Sequence, residues 1–180
     1  MRRFFQTLVL ISLVGCSQAG QGKLIAPATR ASVRDQLDHK TDYHEKRVSL
    51  DGYIFLTSST EQTDSQVGLA LYSKPMGQGD RLVDFQVEAG QGKNQVHLPT
   101  IGKGKSAGYR RTEHKVDMDK ATFTDADGRP HPLREQVRIS GTVRYVKHFQ
   151  GGFSKMKDPM DSSKELYPFA LHDVRLDLPK

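Results

Sequence analysis

Cysteine is nearly absent from this chain: Cys16 is the only one in 180 residues. Intramolecular disulfides, paired-cysteine redox motifs and thiolate metal clusters are thereby excluded. A domain without disulfides must rest on its hydrophobic core, and roughly 165 residues can build one. Tryptophan is missing altogether, which weighs against a sugar-stacking site. Past the first 14 residues no apolar run is long enough to span a membrane. There is no internal repeat and no low-complexity block. Catalytic signatures are missing too. The histidines at 39, 44, 97, 114, 131, 148 and 172 form no i, i+4 pair and no H-E-x-x-H motif. No serine sits in a G-x-S-x-G elbow. Gly104-Lys105-Ser106 lacks the earlier glycine of a phosphate loop, because Pro99 stands in its place. Asp125-Ala126-Asp127-Gly128 starts like a calcium loop, but Pro130 and Pro132 follow and no glutamate closes it. Neither an enzyme nor a cofactor or metal site is expected.

What is present begins at the N-terminus. Arg2 and Arg3 precede an apolar run from Phe4 to Val14, the charged and apolar regions of a secretory signal. The run ends in Leu13-Val14-Gly15-Cys16, which resembles the bacterial lipobox. That resemblance implies removal of residues 1–15 as a signal peptide and a diacylglycerol on the Cys16 thiol. It further implies an acyl chain such as palmitate on the new amine. Several acyl chains give stable anchoring, each buried methylene adding roughly 0.8 kcal/mol. Ser17, rather than aspartate, is similar to an outer-membrane sorting context, so the expected address is the cell envelope, on the outer membrane facing the periplasm. Residues 16–29 then form the acylated N-terminus and a tether, and residues 30–180 a single domain. The formal charge of +6 falls to +4 without Arg2 and Arg3, 25 basic residues standing against 21 acidic. That mild excess suits anionic partners but does not point to nucleic acid.

Within the domain, Ser32 and Asp35 resemble a capping box, and the spacing of Val33 and Leu37 predicts a short helix to Lys40. The stretch Arg47 to Leu56 alternates up to Gly52 and then runs apolar through Tyr53, Ile54, Phe55 and Leu56. It predicts a strand half buried before the glycine, buried on both faces after it, and bent at Gly52. Further strands are expected over Val67–Tyr72, Arg81–Val87 and Asn94–Leu98. Asp127-Gly128 suits the tight turn of a hairpin within 121–133. A strand from Val137 to Val146 carries a central Gly141. After a long loop, Lys147–Glu165, the last strand spans Tyr167–Leu178 with a shift at Asp173.

The phrases V-S-L-D-G-Y-I-F-L, V-R-I-S-G-T-V and F-A-L-H-D-V-R-L resemble the first, fourth and fifth strands of OB-fold proteins, notably the small OB-type domains of bacterial envelope proteins. The fold class this implies is mainly β, a small closed antiparallel barrel with one short N-terminal helix. Residues 115–133 exceed what a five-stranded barrel needs. An eight-stranded lipocalin-like barrel or a sandwich is the alternative fold, and the lipocalin-like barrel would carry a small hydrophobic molecule. Two loops carry candidate binding residues. Lys103, Lys105, Tyr109, Arg110 and Arg111 set cations beside an aromatic on a glycine-rich backbone, suited to anionic groups. His148, Phe149, Phe153 and Lys155 interleave aromatic and basic side chains in the loop that precedes the last strand of an OB-type barrel. The expected function is a lipid-anchored, non-catalytic binding or scaffolding module. Its partner is an envelope protein or an anionic envelope polymer, besides the membrane reached through Cys16.

Overall fold

A computed structural model describes residues 22–25, 29–56, 66–99 and 116–180. In chain order the strands begin with β1 (Lys23–Leu24), β2 (Arg47–Phe55), β3 (Gln66–Tyr72) and β4 (Arg81–Ala89). Then come β5 (Gln95–His97), β6 (Thr122–Thr124), β7 (Pro130–Pro132) and β8 (Gln136–Tyr145). The series ends with β9 (Met156–Lys157), β10 (Glu165–Leu166) and β11 (Phe169–Asp177). The protein is mainly β with one short helix. Among the described residues no helix is long and apolar enough to cross a membrane.

β2 is the hub. Its first part pairs with β8, from Arg47 opposite Thr142 to Tyr53 opposite Gln136. Its last part pairs with β3, from Tyr53 opposite Tyr72 to Phe55 opposite Ala70. Gly52 sits at this handover. A Cβ there would lie 2.6 Å from the Tyr72 carbonyl oxygen and 2.8 Å from Leu71 Cγ, so only glycine permits the close approach. Burial along β2 differs from the expectation. Tyr53 and Phe55, past the glycine, are only half-buried, and it is Ser49, before it, that is fully covered. The reason is neighbours rather than periodicity. β1 runs parallel to β2 and places the Ile25 N–H on the Ser49 carbonyl at 3.0 Å, while Arg47 folds over Ser140, the residue opposite Ser49. Part of the stretch expected as tether, Lys23 to Ile25, is thus packed against the sheet, with Ile25 buried.

The strand order is β11-β8-β2-β3-β4-β5-β6-β7, with β1 beside β2. The closed antiparallel barrel expected from sequence is not what the pairing gives. The sheet is mixed, since β1–β2 and β4–β5 are parallel, and it does not close on itself. β11 lies beside β4, yet no ladder joins them among the described residues. The hairpin β6–β7 turns at Gly128 (φ 91°) and extends the sheet beyond β5. β11 breaks register between His172 and Arg175, and Asp173 takes a left-handed φ of 51°, the shift its sequence pattern predicts. Within the long loop, β9 and β10 pair into a small separate sheet.

The helix starts one turn earlier than its sequence suggests. Thr29 is the N-cap, and Ser32 is the reciprocal third-position partner of the capping box rather than the cap. Arg30–Val33 is α-helical and passes directly into a π-helical stretch, Arg34–Asp38. Val33 and Leu37 are fully buried, joining Val48, Leu50, Phe123, Ile139 and Leu176 in one core. Each such side chain contributes roughly 1.5–3 kcal/mol on burial.

Candidate functional site

At one end of the molecule the loop after β8 is built around two glycines. Gly151 (φ 95°) and Gly152 (φ 74°) take consecutive left-handed conformations that other residues adopt only with strain. The His148 N–H reaches the Gly152 carbonyl at 3.0 Å, and the Gly151 N–H reaches that of His148 at 3.0 Å. This tight turn leaves Phe149 fully exposed at its tip, with His148 exposed beside it. Phe153 behaves oppositely. It returns to the domain and packs edge-on against His44 (4.7 Å between ring centroids) and Tyr145 (5.5 Å). Lys155 points into solvent and pairs with Glu165 at 2.9 Å.

The remainder of the loop is locked to the helix by Asp158. Its carboxylate is buried, pairs with Arg34, and accepts bonds from His39 Nε2 (3.1 Å) and the Met160 N–H (2.8 Å). The Arg34 guanidinium, helped by these donors, holds the Asp158 carboxyl far below the usual carboxylate range. Nearby, Arg30 pairs with buried Asp38 at 2.6 Å, and burial pushes the Asp38 carboxyl up against that attraction. The Tyr145 hydroxyl donates to the Leu37 carbonyl (2.8 Å), and the Tyr167 N–H to that of Asp38 (2.7 Å). Burial raises the Tyr145 phenol, so it remains a donor.

A second feature lies where β4 and β11 face each other. A groove of about 570 Å³ follows this seam, with Leu69, Phe85 and Leu171 buried along it. Its walls carry Gln66, Gln86, His172 and the ion pair Arg81–Asp84 (2.6 Å). A smaller hollow of about 280 Å³ continues it past Phe169 to Arg30. Arg30 also donates to the Leu82 carbonyl at 2.6 Å, covering one backbone group of the open edge. The groove therefore offers an apolar floor, one arginine against Asp84 and Asp173, and strand edges that face each other without a ladder.

Of the candidate binding residues, His148 and Phe149 stand together at the loop tip, Phe153 is drawn inward and Lys155 is paired. Lys103, Lys105, Tyr109, Arg110, Arg111 and Cys16 lie outside the described residues. The groove was invisible in the sequence because its lining joins segments 66–69 and 81–86 to the distant segment 169–173. Asp158 gave no signal either, its partners being 124 and 119 residues away. No family model matches the chain, and no curated protein or solved structure does so at a significant level.

Proposed function

We propose that the protein is a lipid-anchored component of the bacterial cell envelope whose OB-like domain is a non-catalytic binding module for an extended segment of a partner protein. The observation that carries this reading is the seam between β4 and β11. There a groove with buried Leu69, Phe85 and Leu171 runs beside strand edges that no other strand covers among the described residues. Exposed strand edges bind extended chains through backbone hydrogen bonds, and adjacent apolar pockets select side chains. OB-type domains bind on the face of their second and third strands and the flanking loops. β2 passing from β8 to β3, and β3–β4 leading to β11, support that comparison. The groove is lined by Arg81 against Asp84 and Asp173, which favours a polypeptide over a polyanion. The carrier alternative finds no support in the interior, which Leu50, Leu71, Phe123 and Ile139 occupy.

The test is photocrosslinking in cells from position 86, whose glutamine is exposed in the groove wall. A discrete protein adduct is expected. Ala170→Arg, at an exposed groove position, should reduce it about tenfold, equivalent to about 1.4 kcal/mol. Stability should stay within about 0.5 kcal/mol, as for other surface changes. An adduct indifferent to Ala170→Arg, or none at all, sinks the reading. Steeply salt-dependent binding of an envelope polyanion, lost when Lys103, Lys105, Arg110 and Arg111 become alanine, would replace the protein partner with a polymer.

A further inference from the structure

Seven large apolar side chains are exposed among the described residues, and four of them, Val146, Phe149, Met156 and Met160, belong to the single loop after β8. The same 15-residue stretch carries Lys147, Lys155 and Lys157, and its only acid, Asp158, is buried against Arg34. Lys155 is partly offset by Glu165. A turn that holds an aromatic ring clear of the domain, beside lysines, has the chemistry of a surface that enters the interface of a lipid bilayer. Its Gly151 and Gly152 have nothing within 4 Å of where a Cβ would stand, so the tip projects away from the domain.

What covers this surface follows from where the N-terminal chain joins the domain. β1 runs parallel to β2 with Lys23 opposite Val48, so the chain arrives at the Arg47 end of β2. Lys23 Nζ donates to the Tyr43 hydroxyl at 3.0 Å. The next residue, His44, bears Phe153 at 4.7 Å and accepts from the Tyr145 N–H at 3.3 Å, where β8 passes into the exposed loop. Leu24, a fifth exposed apolar side chain, lies on β1 at this end as well. Cys16 precedes Gly22 by six residues, which span at most about 20 Å when fully extended. An acyl group on Cys16 therefore keeps the Phe149 end, and not the β6–β7 end, against the bilayer.

We infer that the loop 146–160 is a second membrane contact, with Phe149 inserting at the headgroup level of the leaflet that holds the acyl chains. The inference rests on the lipid-anchored reading. A single aromatic loop binds a bilayer weakly, but a tether of this length makes its insertion effectively intramolecular. The domain is thereby oriented, with the β6–β7 hairpin pointing away from the membrane.

The absence of native tryptophan makes the test direct. The full-length, acylated protein carrying Phe149→Trp is reconstituted into vesicles with and without an anionic phospholipid, using lipids brominated on their acyl chains as quenchers. Lys93→Trp, exposed beside Gly128 at the far end, is the reference. Phe149→Trp should show blue-shifted emission and strong quenching, greater with anionic lipid, whereas Lys93→Trp should show neither. Emission from Phe149→Trp that is water-like and no more quenched than that of Lys93→Trp overturns the inference. Intact mass of the same preparation, compared with Cys16→Ala, reads acylation separately. An unacylated Cys16 defeats the anchor reading on which the orientation rests. An acylated protein with a water-exposed ring at position 149 defeats the membrane contact alone.

Discussion

Asp125 and Asp158 are both buried aspartates at the centre of a turn, one at each end of the molecule, and they differ in where their partners come from. Asp125 accepts the N–H groups of Asp127 (2.9 Å) and Arg129 (2.8 Å) and binds His131 Nε2 (3.0 Å). Everything it needs lies within six residues. Asp158 takes one bond from its own turn, from Met160, and is otherwise held by Arg34 and His39 in the helix. Asp125 finishes a hairpin that its own sequence specifies. Asp158 closes the tertiary structure, pinning the connection from β8 to β11, whose only regular structure is the short β9–β10 pair.

Removing the two carboxylates should separate these roles, and the largest effect is expected at Asp158. Asp158→Asn leaves Arg34, mostly buried, without its counter-charge. Hydrogen exchange of residues 147–165 should accelerate about tenfold or more, with a lower melting temperature, while residues 122–132 stay protected. Asp125→Asn should loosen 122–132 alone and lower the melting temperature less. If the two variants lose protection in the same places, the contrast between a local and a tertiary aspartate is wrong.

Acid should reproduce the first variant. The Asp158 carboxyl is held below its ordinary value, chiefly by Arg34, so the unfolded chain takes up that proton first as pH falls. Its contribution is complete above about 3.9, the ordinary aspartate value, and is lost as pH drops below it toward the folded value. Asp125 is also depressed: burial pushes its carboxyl up, but the bonds from His131 and the turn more than offset this. It therefore weakens in the same direction. Urea midpoints of the parent and of Asp158→Asn should differ most near neutrality and converge as pH falls below about 4. A gap that stays constant would mean that the charge of Asp158 is not what holds the loop.

This contrast also explains how much of the molecule could be read from sequence. The D-A-D-G turn, the alternation in β3, β4 and β8, the register shift at Asp173 and the paired role of Val33 and Leu37 are all local signals, and the structure contains each of them. What failed was non-local. The burial of Ser49 depends on β1 and Arg47, and the open seam between β4 and β11 depends on how distant strands meet. The opposite fates of Phe149 and Phe153 depend on Gly151 and Gly152, and on His44 and Tyr145, which sit where no spacing rule places them. A basic-aromatic pattern identified the loop but not which ring faces outward. Cap position was missed for a smaller reason: Thr29 and Ser32 are both good caps, and only the backbone turning at Thr29 decides between them.

That cap offers the mildest way to sharpen the comparison. Thr29 accepts the Ser32 N–H at 3.2 Å and stands at the start of the nine-residue helical segment that carries Arg34 and ends beside His39. Thr29→Ala should cost about 1 kcal/mol, a usual value for losing an N-cap. The position is exposed and far in sequence from both loops, and the side-chain contacts that carry its effect from the helix into 147–165 are Arg34–Asp158 and His39–Asp158, with the Tyr167–Asp38 backbone bond just past that stretch. Exchange should therefore quicken modestly in 147–165 and not at all in 122–132. In combination with Asp158→Asn, the cap variant should add no further loosening of 147–165, because the connection through which it acts is already cut. Independent, additive effects on the loop would show that the helix acts on it through the Tyr167–Asp38 bond rather than through Asp158.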